Sequence, residues 1–147
     1  MPTIVITSGY FNPIHPGHIE CFELAKKLGD ELWVIVNNDL QAELKRGEKS
    51  FQDQELRMRV AGAIKPVDRV FLSIDKEASV CDSLEFLIQE VLANNPETKI
   101  IFAKGGDRFA DNTAELPICT KYNVELVSGL GAKTHNSSDF LKKIKTV

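Results

Sequence analysis

Five short apolar runs, Thr3–Thr7, Glu31–Val36, Arg69–Leu72, Lys99–Ala103 and Val124–Val127, recur along the chain, each rich in β-branched or aromatic residues. Amphipathic stretches separate them, and strands alternating with helices predict a parallel sheet covered on both faces. A first helix is expected from about Pro16 to Leu28, with Ile19, Phe22 and Leu28 among polar positions and Gly29 as its stop. A second runs from roughly Gln52 to Ile64, capped within Ser50-Phe51-Gln52-Asp53 and stopped by Pro66. Val80, Leu84, Leu87, Ile88, Val91 and Leu92 share one face of a third, with Ser79 as candidate cap and Asn94-Asn95-Pro96 as terminator. A fourth falls within Glu115–Tyr122, and a last begins near Ser137 and continues to about Lys143.

Ligands of open parallel sheets bind beyond the carboxyl ends of the strands, so the segment after each strand carries the chemistry. After the first comes Gly9-Tyr10-Phe11-Asn12-Pro13-Ile14-His15-Pro16-Gly17-His18. Gly9 permits a sharp turn or a close approach. Pro16 suits the first position of a helix, which would leave the amides of Gly17, His18 and Ile19 open to an anion. His15 and His18, three apart, can both reach that anion. After the second strand comes Asn37-Asn38-Asp39, after the fourth Lys104-Gly105-Gly106-Asp107-Arg108, and after the fifth residues 128–138, so polar and glycine-rich chemistry collects at one edge. Neither histidine has an evident nucleophile beside it, which suits phosphoryl-type transfer, where positioning and charge stabilisation dominate.

The composition narrows the class. With 147 residues, 43% hydrophobic and a net charge of −3, one domain with a proper core is expected and a general nucleic-acid binder is not. No apolar stretch approaches the ~20 residues of a membrane span, and the N-terminus lacks signal-peptide order, so the cytoplasm is expected. Cys21, Cys81 and Cys119 form no CxxC pattern and are read as reduced thiols. A metal reading of His15, His18 and Cys21 is disfavoured, because zinc sites need three or four supported ligands. Trp33 is read as core or dimer-interface packing.

A strand ending in G-x-F-[DN]-x-x-H-x-G-H and opening a helix resembles the signature of the cytidylyltransferase-like nucleotidyltransferase superfamily. The resemblance covers nearly the whole chain. It continues through Lys45 in the loop after strand two, Arg57 on the second helix, and Asn136-Ser137-Ser138 at the last helix start. It implies a single Rossmann-like, doubly wound α/β domain of five parallel strands over residues 1–147. It also implies transfer of a nucleotidyl group from a nucleoside triphosphate to a phosphate monoester, with release of pyrophosphate and with Mg²⁺.

The same resemblance makes His15, His18, Lys45 and Arg57 the catalytic set. Nucleotide contacts would fall at Gly9, Tyr10, Phe11, Gly17, Lys104, Gly106, Asp107, Ser137 and Ser138, and no side-chain metal ligands are expected. Lys104-Gly105-Gly106-Asp107 resembles the KGGD segment of bacterial heptose-1-phosphate adenylyltransferases; glycerol-3-phosphate cytidylyltransferases and archaeal FAD synthetases are the next nearest patterns. The expected acceptor is a sugar or polyol phosphate, with ATP favoured over CTP, no nucleic-acid or membrane partner, and a homodimer. Asn12 stands where many members carry Asp, Tyr10 replaces a small or β-branched residue, Arg108 occupies an aromatic position, and Lys133-Thr134-His135 matches an R-T-x-G element only loosely. The rival functions are a nucleotide-binding module without turnover and a metal-dependent phosphohydrolase.

Overall fold

Alternate residues along the three inner strands face opposite ways, and each set is apolar. Ile4 and Ile6, Trp33 and Ile35, and Ile100 and Phe102 pack on one side with Val80, Leu84, Leu87, Ile88 and Val91. Val5, Leu32, Val34, Val36, Ile101 and Ala103 pack on the other with Phe22, Ala25 and Ala61. A sheet apolar on both faces must be covered on both.

The computed structural model describes residues 2–105 and 113–130. Its elements are β1 (Thr3–Gly9), α1 (Pro16–Lys26), β2 (Glu31–Val36), α2 (Asp39–Arg46), α3 (Gln54–Gly62), β3 (Arg69–Leu72), α4 (Cys81–Asn94), β4 (Lys99–Gly105), α5 (Leu116–Lys121) and β5 (Glu125–Leu130). All pairings are parallel, in the order β3-β2-β1-β4-β5. This is the Rossmann-like arrangement. α1 and α3 cover one face and α4 with α5 the other. The strand order reverses between β1 and β4, the crevice where doubly wound sheets bind ligands.

Three expectations are corrected. Residues 39–46, expected as loop, form α2, whose N-cap Asn38 accepts from Gln41 N–H while the Gln41 side chain accepts from Asn38 N–H, and whose C-cap Gly47 is left-handed. Ser79 does not cap α4. The buried carboxylate of Asp75 accepts the Asp82 and Ser83 amides at 2.8 and 2.9 Å and the Ser83 hydroxyl as well. β5 runs to Leu130, past the expected start of a loop at 128; β4 and β5 shift register between Ala103 and Gly105, where Gly129 at φ 74° accommodates the extra residue. The helix expected from Ser137 lies outside the described residues.

Candidate functional site

The site begins where β1 ends. Gly9 is needed less for a turn than for room: a Cβ there would come within 2.7 Å of the Phe11 ring, which folds back across it. Phe11 adopts φ 53°, the left-handed region that non-glycine residues enter at a cost of about 1–2 kcal/mol. Its ring is buried, tilted against Phe22 and edge-on to His18, both at 5.2 Å between centroids. A strained backbone thus sets a floor that orients His18.

His15 and His18 stack with centroids 3.8 Å apart. His15 is the N-cap of α1; its Nδ1 accepts from Gly17 N–H at 3.1 Å, and His18 Nδ1 accepts from His15 N–H at 3.2 Å. An Nδ1 that accepts carries no proton, so in both rings the proton of the neutral imidazole sits on Nε2. Burial first, then the electrostatic influence of His15 and of the Lys45 ammonium, lower the His18 pKa to about 3. This overturns the expectation of open helix amides. Gly17 N–H goes to His15 Nδ1, and the His18 and Ile19 N–H groups go to His15 O at 2.9 and 3.3 Å. Donation to an anion at this turn would then come from an imidazole Nε2–H rather than from these amides.

Arg57 is fully buried. It donates from Nε to Gln52 O (2.9 Å), from Nη1 to Tyr10 O (2.8 Å) and Asn37 O (2.6 Å), and from Nη2 to Asp39 Oδ1 (2.8 Å). One guanidinium therefore ties the histidine turn, the end of β2, the start of α2 and the segment leading into α3. Arg57 lies beside the expected phosphate site but points into the protein. Lys45 lies in the last turn of α2, not in a loop, with Nζ 4.3 Å from the Tyr10 ring centroid.

Lys104, near the end of β4, is buried; its Nζ donates to Ser8 Oγ at 3.3 Å and pairs with buried Glu115 at 3.7 Å. Glu115 also accepts Val80 N–H at 3.1 Å, which anchors α4. Lys104 thus joins β1 and β4 at the point where the strand order reverses. Gly106, Asp107, Ser137 and Ser138 lie outside the described residues, as do Arg108 and Lys133-Thr134-His135. Burial, followed by the charge of Glu20, pushes the Cys21 thiol up to about 11 against the pull of Lys104. Among the described residues no group of three His, Cys, Asp or Glu is arranged to hold a metal ion. Likewise none of their helices is long and apolar enough to cross a membrane.

Asn12 adds a feature that residue type alone did not disclose. It is 1% exposed, its Oδ1 accepts Gln52 N–H at 2.9 Å, and its Nδ2 has no partner. The Gln52 amide fixes which end of the side chain is oxygen, so an unanswered donor lies in the turn before His15.

The cytidylyltransferase-like family model matches residues 6–134. The chain belongs to the cytidylyltransferase-like family. A bifunctional protein HldE of Azorhizobium caulinodans is 33% identical over 127 residues, 86% of this chain and 25% of that protein. An FAD synthase of Archaeoglobus profundus is 48% identical over 68 residues, 46% of this chain and 43% of that one. The matches therefore span less than half of either relative. Among solved structures, a lipopolysaccharide core biosynthesis protein from Thermoplasma volcanium superposes with a TM-score of 0.63 at 26% identity, covering 89% of this chain and 98% of that one. Within this cytidylyltransferase-like domain the histidine turn, Lys45 and Lys104 occupy one sheet edge, while Arg57 braces it from behind.

Proposed function

We propose that this chain transfers a nucleoside monophosphate from ATP or CTP to a small phosphate monoester, a sugar or polyol phosphate, and releases pyrophosphate. The observation that carries the reading is the histidine pair: two stacked imidazoles with Nδ1 committed to backbone amides, placed next to the reversal of strand order. Neutral Nε2–H donors suit a reaction that needs charge stabilised rather than a proton removed. A phosphate monoester near neutral pH already carries an anionic oxygen that can attack the α-phosphorus in line, so no covalent intermediate is required.

In this reading His15 and His18 donate to oxygens of the α-phosphate as charge spreads over them. Lys45 neutralises the reacting phosphates as a mobile point charge. The turn at Tyr10 and Phe11 touches the α-phosphate, Lys104 with Gly106 and Asp107 borders the base or sugar, and Ser137 and Ser138 hold the β- and γ-phosphates. The unpartnered Nδ2 of Asn12 is a donor, which fits an anion and not a cation. Mg²⁺ enters as part of the nucleotide substrate, most of its ligands being phosphate oxygens and water. The enzyme is proposed to act as a homodimer in the cytoplasm.

The KGGD segment favours ATP and a sugar 1-phosphate. A second acceptor, flavin mononucleotide, is supported by the 48% identity with the archaeal FAD synthase segment. Pyrophosphate release should be measured with ATP and CTP, each with Mg²⁺, against heptose and hexose 1-phosphates, glycerol phosphate and flavin mononucleotide. Release with one pair is expected. Nucleotide binding without release across the panel would replace this reading with that of a binding module.

A further inference from the structure

We propose that the Tyr10 ring is the seat of the Lys45 ammonium, making Tyr10 a positioning residue that acts on the transferred phosphates through Lys45. This rests on the nucleotidyl-transfer reading above. Lys45 Nζ stands 4.3 Å from the Tyr10 ring centroid, within the range where a ring face attracts a cation. The lysine itself is exposed and its four-carbon stem is flexible. A ring face beside the ammonium narrows the rotamers from which its charge acts, which lowers the ordering cost on ligand binding.

The seat, by contrast, is held firmly. Tyr10 O accepts from Arg57 Nη1 at 2.8 Å, and the next residue is locked left-handed with its ring against Gly9. The same guanidinium binds Asp39, the first residue of the helix that carries Lys45 in its last turn. Ring and lysine are therefore referred to one buried anchor, so their separation is set by the fold. The charge of Lys45 is also felt at His18, whose ring stacks on His15. Tyr10 thus places a positive charge beside the paired donors before any nucleotide arrives.

The test combines a double-mutant cycle with a direct view of the contact. In steady-state pyrophosphate release, Tyr10→Leu should lower kcat about two- to fivefold, the worth of one exposed cation–π contact. Tyr10→Phe, which keeps the ring face, should recover most of that loss. In a Lys45→Met background, Tyr10→Leu should change nothing further. An equal loss in both backgrounds, or no loss with Lys45 intact, overturns the proposal. Independently of turnover, the Lys45 ε-methylene proton resonances should be shifted upfield by the ring in the wild type and in Tyr10→Phe, and should return to ordinary positions in Tyr10→Leu. Unshifted wild-type resonances overturn the contact itself. Shifted resonances in a protein that releases no pyrophosphate refute the transfer reading, and with it the positioning role, while leaving the contact in place.

Discussion

Replacing Arg57 with methionine, an apolar chain of comparable length, separates a strut from a ligand. The side chain is fully buried and makes four hydrogen bonds of 2.6–2.9 Å, three of them to backbone carbonyls. Bonds from a charged donor are worth about 1.5–3 kcal/mol each, but the full sum overstates the loss. Only the bond to Asn37 O is buried throughout, and water can reach the others once the guanidinium is gone. Losing one partner of a buried charged network typically costs about 3–5 kcal/mol. For a domain of this size that is a fall in Tm of roughly 6–20 °C. Thermal and urea denaturation monitored by circular dichroism, without substrate, reads this directly. Arg57→Lys, which keeps the charge but loses the fork, should fall between and provides a folded variant if Arg57→Met is too unstable. An Arg57→Met protein that melts within two or three degrees (~1 kcal/mol) of the wild type, yet loses activity more than tenfold, would refute the strut and make Arg57 a phosphate ligand.

The same geometry sets two further outcomes. Because the folded pKa of His18 lies near 3, below the unfolded 6.5, its contribution to stability is complete above about pH 6.5 and is lost as pH falls toward 3. Between pH 7 and 5 the loss should be about 1–2 kcal/mol after allowance for partial exposure; His18→Gln should be correspondingly less acid-sensitive in urea titrations, and equal pH slopes would contradict the buried neutral ring. Asp75→Ala removes the acceptor of two amides at the start of α4 and should cost about 2 kcal/mol by urea denaturation, with Asp75→Asn losing less; a shift under about 0.5 kcal/mol would mean that α4 is capped by other groups.

The inner strands were legible because burial on both faces leaves unbroken apolar runs, the edge strand β3 by its short apolar run Arg69–Leu72, and β2 and β3 fall where the pattern put them. α2 was not, for a physical reason. Its two leucines, Leu40 and Leu44, are 51% and 61% exposed, so the helix shows no core-facing stripe and its sequence reads as polar loop. The signal that did exist was local: Asn38 with Gln41 three residues on, and Gly47 after the last turn. Arg57 was legible as a residue of interest but not in its burial or its partners, because its acceptors come from segments as far as 47 residues away. Asp75 was hidden for the same reason, since a cap that arrives from outside the helix leaves no mark at the N-cap position.

The histidine turn shows how a local rule can point to a place in the fold and still mistake where its backbone N–H groups go. A strand, a bend and a proline-started helix do mark a place where backbone N–H groups meet an anion. Here the residue before the proline is itself an acceptor, and His15 Nδ1 takes the Gly17 amide. That bond gives up a backbone donor but fixes the imidazole tautomer, and the His15 amide does the same for His18. A protonated ring would have to break its cap, so the structure favours neutral imidazoles whose Nε2–H groups are set before a ligand arrives. Positive charge must then come from elsewhere at this edge. Lys45 on its tyrosine seat is a described side chain that brings it, whereas the Lys104 charge, between β1 and β4, is shared with the buried Glu115 carboxylate.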